Sequence, residues 1–247
     1  MRKDNVWLVI PAYNEEANIK NVVEQWYPVV EKISSDSRIL VVNDGSKDRT
    51  QKKLLELQKK YPQLLVEEKV NGGHGAAIRY GYDMALRAGA EYIFQTDSDG
   101  QTLPSEFWQL WMKRRNCGLL IGHRSKRQDG WQRVVVTKVL KAVIRITFGV
   151  WVTDANTPFR LMHRSQLSEV LKEIPDGHNL TNVLMSVLYT KKGYKVMYFP
   201  ITFRPRQGGK NSINMKKIFK IGVKAFKDFT ELGKMFRKYG KGKKDEI

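Results

Sequence analysis

The chain has 247 residues, with 44 Lys and Arg against 25 Asp and Glu, a formal net charge of +19 and a hydrophobic share of 41%. That length suits one large domain, and the apolar share is enough for a core, which excludes a disordered chain. The single cysteine, Cys117, excludes a disulfide framework and any Cys-rich zinc or iron–sulfur site, and it suits a reducing compartment.

In chain order, residues 1–5 run almost at once into an apolar strand, so no secretory leader is expected. Val6 to Ile10 predicts a strand, Glu16 to Lys32 a helix, Ile39 to Asn43 a strand and Asp48 to Tyr61 a helix. A weak strand follows at Leu64 to Glu67, then a helix over Ala76 to Ala88 and a strand over Glu91 to Gln95. In the second half Leu119 to Gly122 predicts a strand. Trp131 to Thr147 and Leu180 to Lys192 predict helices, and Lys195–Phe199 and Ile201–Phe203 predict short strands flanking Pro200. The most apolar run, Val134 to Val152, is broken by Lys138, Lys141 and Arg145, so no membrane-spanning helix is expected. Strand and helix in alternation imply a mostly parallel sheet with helices on both faces.

In such sheets ligands bind outside the carboxyl ends of the strands. The segments that follow the strands here are polar and turn-rich: Pro11-Ala-Tyr-Asn-Glu15, Asn43-Asp-Gly-Ser46, Asn71-Gly-Gly-His-Gly75 and Thr96-Asp-Ser-Asp-Gly-Gln101. One such loop is ordinary turn chemistry, whereas four at one sheet edge describe a ligand cleft. Asp97 and Asp99, one residue apart just past a strand, suit a hard divalent cation that also binds diphosphate oxygens, and Gln101 offers a further oxygen. No Walker sequence and no Gly-x-Gly-x-x-Gly fingerprint is present to hold a nucleotide another way.

Charge is unevenly placed. Residues 113–145 hold ten basic side chains and one acid, residues 204–247 hold fourteen and four, and the rest of the chain is balanced. Two basic segments beside a neutral body point to surfaces that face something anionic. A nucleic-acid-binding module is the reading from another class, drawn from the charge together with six Trp and ten Tyr. The acidic strand-end loops would repel a polyanion, and no nucleic-acid motif is present, so no nucleic-acid partner is expected.

The four strand-end motifs resemble, in order and spacing, those of the family 2 glycosyltransferases, and within them the dolichyl- or polyprenyl-phosphate sugar synthases. The resemblance implies a GT-A fold over residues 1–214, with a nucleotide-sugar half at 1–125 and an acceptor half at 126–214. It also implies a UDP- or GDP-linked sugar donor, a Mg or Mn cofactor, a polyprenyl phosphate acceptor and inversion at the anomeric carbon. Carried over by position, Pro11, Tyr13 and Glu15 hold the nucleoside, and in the Asn43-Asp44 pair Asp44 accepts a hydrogen bond from the base. Asp97 and Asp99, with Ser98 between them, bracket the diphosphate, and Asp97, Asp99 and Gln101 form the metal set. Arg124 and Arg133 meet the acceptor phosphate with the Thr137 hydroxyl, and Arg206 closes over the phosphates. Asp154 to Arg160 corresponds to a stretch beside the acceptor site.

Three departures stand out. Asn43 occupies a place where the family often has Asp. Lys210 precedes Asn211-Ser212, two places earlier than the family's lysine. Asp176 to Thr181 replaces an acidic segment; His178 within it reads first as a structural loop histidine, with a contact to the donor sugar as the alternative.

A lipid monophosphate is already an anion and needs positioning rather than a general base, so the basic 113–145 segment fits a phosphate acceptor. The alternative is a transferase extending a cell-surface polysaccharide, whose acceptor hydroxyl needs a carboxylate base. Residues 215–247 form the remaining unit. On a helical wheel Met215, Ile218, Phe219, Gly222, Ala225, Phe226, Phe229, Leu232 and Phe236 share one face, with seven lysines on the other. That pattern over 215–239, joined to a lipid acceptor, predicts an amphipathic helix in the membrane interface and a peripheral protein of the cytoplasmic leaflet.

Overall fold

A computed structural model describes residues 4–124, 131–178 and 180–205 together with Phe229, Leu232 and Gly233, with the backbone alone for Arg124 and residues 131–138. Its first half alternates strand and helix: β1 (Val6–Ala12), α1 (Ile19–Ile33), β2 (Arg38–Asn43), α2 (Thr50–Gln58), β3 (Leu64–Glu68), α3 (His74–Arg87) and β4 (Tyr92–Gln95). Then come α4 (Phe107–Trp111), β5 (Leu119–Arg124), α5 (Trp131–Phe148), β6 (Arg160–His163), α6 (Arg164–Leu171), α7 (Thr181–Lys191) and β7 (Val196–Ile201).

The seven strands form one sheet in the order β3-β2-β1-β4-β6-β5-β7. β1 pairs in parallel with β2 and β4, and β2 with β3, while β6 runs antiparallel to both β4 and β5. Every residue of β1 is buried, as a central strand covered on both faces must be, which is why it reads as a continuous apolar run. Alternate residues feed two cores. Val9, Leu40 and Val42 meet α3, α5, α6 and α7 on one face, and Leu8, Ile10, Ile39 and Val41 meet α1, α2 and α4 on the other. Helix α1 buries Ile19, Val22, Val23, Trp26, Val29 and Val30, the spacing of one helical face. Helix α3 lies so close to the sheet that a Cβ on Gly81 would fall 2.4 Å from Val9 Cγ1.

The expected two-faced α/β architecture is present, with differences that have physical reasons. The proline expected to separate two short strands sits inside β7, which is an edge strand and can spare the missing N–H. Helix α1 starts three residues later than its pattern suggests, because Asn14 adopts a left-handed φ of 54° and residues 13–18 fold into a turn. β6 and α6 were not predicted: a four-residue strand that opens on arginine carries no alternation to read.

The tail expectation is corrected at the residues described. Phe229 is 0% and Leu232 7% exposed, both within the core beside α5 and α7, and the Phe229 ring meets Phe148 edge-on at 5.5 Å. These two apolar-face positions pack on the protein, not on lipid. The other residues of 215–247 lie outside those described, as do Arg206 and Lys210. No helix among the described residues is long and apolar enough to cross a membrane.

Candidate functional site

The parallel strands deliver the loops after β1, β2, β3 and β4 to one sheet edge. Because β6 is reversed, with Gln95 opposite Arg160, the segment that precedes it (154–159) emerges at that same edge. β5 and β7 run the other way from β6, with Arg124 opposite Ile201, so their carboxyl ends also arrive there. Seven segments therefore converge on one cleft.

On the first side the loops are tied to one another. Asn14 N–H donates to Ser46 Oγ at 2.9 Å and Lys47 N–H to Asn14 Oδ1 at 2.8 Å. Glu16 N–H donates to Asp48 Oδ2 at 3.1 Å, Arg49 N–H to Glu16 Oε2 at 2.9 Å and Glu15 N–H to Thr50 Oγ1 at 2.8 Å. Burial alone would raise Asp48, but hydrogen bonds from the Thr50 hydroxyl and N–H and the Glu16 N–H outweigh it and hold the carboxyl below its ordinary range. Glu15 is buried and accepts from Asn18 Nδ2 at 2.7 Å, whereas Tyr13 stands out into solvent at the cleft. Pro11 is buried within β1, at the root of this loop.

Asp44 is the hub of the next two loops. It is 3% exposed, and Lys69 Nζ (2.7 Å) and Gly72 N–H (2.9 Å) donate to Oδ1 while Gly73 N–H (2.8 Å) donates to Oδ2. Asn71 Nδ2 adds a bond to the Asp44 carbonyl at 2.8 Å. This carboxylate fixes the turn that launches α3, a role sequence reasoning did not assign, and Lys69 was missed altogether. Its only signal was a lysine placed directly after the acidic end of β3. Gly45, at φ 68°, allows the approach: a Cβ there would fall 3.0 Å from Asn71 N. Asn43 is fully buried, donates to Gln51 Oε1 at 2.8 Å and Glu68 Oε1 at 3.4 Å, and accepts from Ser46 N–H and Oγ–H. An aspartate in its place would set a second carboxylate against Glu68, which accounts for asparagine at this position.

The loop after β4 carries Asp97, buried Ser98 and Asp99. Gln101 N–H donates to Asp99 Oδ1 at 3.1 Å, and His74 Nε2 lies 3.7 Å from Asp97 Oδ1. Both carboxylates are partly exposed at the cleft. Among the described residues no group of three His, Cys, Asp or Glu side chains converges. Two hard oxygen donors on one turn fit a divalent cation that takes its remaining ligands from a bound diphosphate. Gln101 Nε2 donates to Arg204 O at 3.0 Å and Arg204 N–H to Gln101 O at 2.9 Å, while Arg204 Nη2 reaches Gly100 O at 3.0 Å. The chain leaving β7 is thus fastened to the acidic loop immediately before residue 206.

On the other side, Arg160 is fully buried and spans two elements. Its Nε and Nη2 donate to Thr157 O at 3.1 and 2.9 Å, Nη2 also to Ala155 O at 3.2 Å, and Nη1 to Asn182 O at 2.9 Å. None of these partners is a carboxylate. Burial pulls the guanidinium down from its ordinary value, yet arginine stays charged. Backbone N–H groups of Thr153 and Asp154 point at the Tyr198 hydroxyl, and Asp154 spends both carboxylate oxygens on its own turn, on Asn156 N–H, Thr157 N–H and the Thr157 hydroxyl. Asp154 is therefore a turn former. His178 likewise caps locally, its Nδ1 accepting from Leu180 N–H at 3.2 Å.

Of the residues expected in the site, Pro11, Tyr13, Glu15, Asn43, Asp44, Asp97, Ser98, Asp99 and Gln101 are brought to this one edge. Arg124 ends β5 there, and positions 133 and 137 lie in the first turns of α5, on the helical row that continues through 140, 144 and 148. Lys69 and Arg204 are organising cations that sequence reasoning did not single out, and Arg160, expected as the end of the 154–160 stretch, is a third.

Comparison with known proteins agrees with this geometry. A family model described as Glycosyl transferase family 2 matches residues 7–171. The chain is 27% identical over 223 residues to a dolichyl-phosphate beta-glucosyltransferase, ALG5A, of Trichomonas vaginalis, covering 84% of this chain and 68% of that one. It is 28% identical over 221 residues to polyprenol monophosphomannose synthase of Mycolicibacterium smegmatis, covering 85% and 82%. Among solved structures, glucosyl-3-phosphoglycerate synthase from Mycobacterium tuberculosis with UDP superposes at a TM-score of 0.67, with 16% identity over 93% of this chain and 80% of that one. The same enzyme with Mn2+ and UDP-glucose gives 0.60, with 15% identity over 89% and 76%.

Proposed function

The chain belongs to glycosyl transferase family 2, and on that premise we propose that it moves a sugar from a nucleotide diphosphate to a polyprenyl phosphate at the cytoplasmic face of a membrane, with inversion at the anomeric carbon. The observation that carries the reading is the convergence at one sheet edge of the Asp97–Asp99 turn, the Asp44-centred loops and the returning 154–159 segment. The relatives named for dolichyl and polyprenol phosphates support the acceptor class.

In the reaction an acceptor phosphate oxygen forms a bond to the anomeric carbon as the bond from that carbon to the diphosphate breaks, and the electron pair leaves with the nucleoside diphosphate. No proton need be removed from the attacking atom, and the described acidic group nearest that side, Asp154, is spent on its own turn. Asp97 and Asp99 would hold the divalent cation with the help of Gln101; such an ion supplies charge stabilisation to the leaving diphosphate. Pro11, Tyr13 and Glu15 line the nucleoside side, and the Asp44 lattice fixes the loops against which the donor is oriented. Arg124, Arg133 and Thr137 are assigned to the acceptor phosphate, with Arg206 and Lys210 entering from the segment that Arg204 fastens.

A panel of UDP- and GDP-linked sugars, each offered with Mn or Mg and a short-chain polyprenyl phosphate, tests this. The expected result is lipid-linked product with one donor class. Product formed only on a free saccharide would overturn the acceptor assignment.

A further inference from the structure

The segment that leaves β7 is stitched at successive points to the segment that carries the acidic turn. Gln109 Nε2 donates to Pro200 O at 3.3 Å, and Thr202 N–H to the two oxygens of Glu106 at 2.8 and 3.0 Å. Gln101 and Arg204 then exchange a pair of bonds, and the Arg204 guanidinium closes the row. Its Nη2 lies 3.0 Å from Gly100 O, 3.3 Å from Thr102 O and 3.1 Å from Gln25 Oε1 of α1. The successive carbonyls of Gly100, Gln101 and Thr102 thus all accept from this one residue, about a hundred positions away in the chain.

Physical chemistry says why that turn needs holding. Asp97 and Asp99 set two like charges one residue apart, and each disfavours the ionised form of the other. Beside Asp99 stands Gly100 at φ 72°, the residue type with the most backbone freedom to lose. Two ties within the loop oppose its opening. The buried Thr96 and Thr102 hydroxyls meet at 2.7 Å, and Gln101 N–H donates to Asp99 Oδ1. Neither of these ties uses the carbonyls of residues 100–102, which are the groups Arg204 takes.

Arg204 is also a cation that supports an acidic turn without consuming its acids. Its guanidinium bonds go to carbonyls and to the Gln25 amide oxygen, and none goes to Asp97 or Asp99. An arginine paired with those carboxylates would compete with a divalent ion for the same oxygens; one seated on the carbonyls leaves them available. Gln101 is treated alike. Its Nε2 is spent on Arg204 O, so Oε1 is the amide atom left for a hard cation.

We propose that Arg204 is a positioning residue for the divalent cation, holding the Asp99-Gly100-Gln101 turn in the form that receives the ion. The inference rests on the metal reading of Asp97, Asp99 and Gln101 and deepens it. Arg204 stands two residues before Arg206, so the same clamp sets the point from which the segment assigned to the phosphates departs.

The test uses the full chain with Arg204→Ala, Arg204→Lys and, as a control, Arg114→Ala. Arg114 binds Asp4 and the Trp111 carbonyl beside Tyr92, at the opposite end of β4 from Gln95, so its loss should lower Tm without touching the turn. Free Mn2+ is followed by electron paramagnetic resonance as each protein is titrated, alone and with UDP or GDP, well below the midpoint of every variant. Turnover is measured against Mn2+ concentration. Arg204→Ala should bind Mn2+ about 10- to 100-fold more weakly, the usual cost of losing a group that orients metal ligands. Its turnover should recover as Mn2+ is raised, at a nearly unchanged acceptor KM. Arg204→Lys should fall between Arg204→Ala and wild type, because an ammonium reaches fewer of the carbonyls than a planar fork does. Arg114→Ala should bind Mn2+ as the wild type does.

Unchanged Mn2+ affinity in Arg204→Ala overturns the clamp. So does an equal loss in Arg114→Ala, which would make the effect one of general destabilisation. A wild type that turns over in excess chelator and holds no Mn2+ overturns the metal reading, and the clamp with it. A wild type that holds Mn2+ but forms no lipid-linked product overturns the acceptor reading alone, and the Mn2+ titrations of the variants still decide the clamp.

Discussion

Replacing Phe229 with alanine distinguishes a tail that belongs to the core from one that lies on lipid. The ring is fully buried, and its edge-on contact with Phe148 at 5.5 Å places it against the inner row of α5. Truncating a buried phenylalanine costs about 3–5 kcal/mol, combining lost transfer energy with the cavity left behind. The lost aromatic pair is part of that figure, on the order of 1 kcal/mol. For a domain of this size each kcal/mol shifts the midpoint by roughly 2–4 °C, so Phe229→Ala should lower Tm by about 6–20 °C. The assay is thermal unfolding followed by circular dichroism, with nucleotide binding measured well below the variant's midpoint, where it should persist. A Tm within about 2 °C of wild type, which is less than the shift from 1 kcal/mol, would refute the packing argument. Loss of vesicle binding in that same variant would return the side chain to the membrane.

Three other substitutions probe the cleft and its supports. Asp99→Asn keeps the oxygen that accepts the Gln101 N–H, so the turn should hold while turnover falls on the order of 10²-fold or more; undiminished activity, or activity in excess chelator, would end the metal assignment. Arg160→Lys places one ammonium where a planar fork spans Ala155, Thr157 and Asn182, leaving at least one buried carbonyl unpaired at about 1–3 kcal/mol. A lowered Tm with acceptor KM raised more than donor KM is expected, and an unchanged Tm would sink that account. Asp48 has a folded-state value below its ordinary 3.8, so the stability it contributes is present above that range and is lost as pH falls through the depressed value. Asp48→Asn should therefore flatten the acid limb of a Tm-versus-pH curve below about pH 4, and an unaltered limb would contradict it.

The sequence was most legible where one strand meets one loop. Buried parallel strands such as Val6–Ala12 announce themselves by unbroken apolar runs, and the polar segments after them follow from the rule that cleft residues sit at carboxyl ends. The place of the Asp97–Asp99 turn at the sheet edge was legible for the same reason. What could not be read were partners distant in sequence. Asp44 looked like a residue waiting for a ligand, yet three donors from residues 69–73 already hold it, and nothing local to Asp44 encodes them. From sequence Arg160 reads only as the end of a stretch beside the acceptor site, and its carbonyl partners emerge when the pairing of β6 with β4 places it under α7. The tail misled in the opposite direction: an amphipathic wheel records which side is apolar but not what covers it, and at Phe229 and Leu232 the cover is α5.

The reversal of β6 explains how one sheet brings segments from both strand directions to a single edge. In an all-parallel sheet only segments that follow strands reach the carboxyl side, so each strand contributes one loop to the cleft. Turning β6 around brings the segment before a strand to the same edge, and 154–159 arrives beside the acidic turn without a further crossover. The geometry then requires an anchor, because a segment entering an antiparallel strand lacks the helix N-terminus that steadies the loops after β2 and β3. Arg160 supplies it: the first residue of the strand folds its guanidinium back onto the carbonyls of its own incoming loop and across to Asn182 of α7. A neutral side chain could not satisfy three carbonyls at once, and a carboxylate partner would have drawn the fork away from them. The buried cation, the reversed strand and the shared edge are one arrangement, in which the loops after β2 and β3 are fixed by Asp44 from one side and the 154–159 segment by Arg160 from the other.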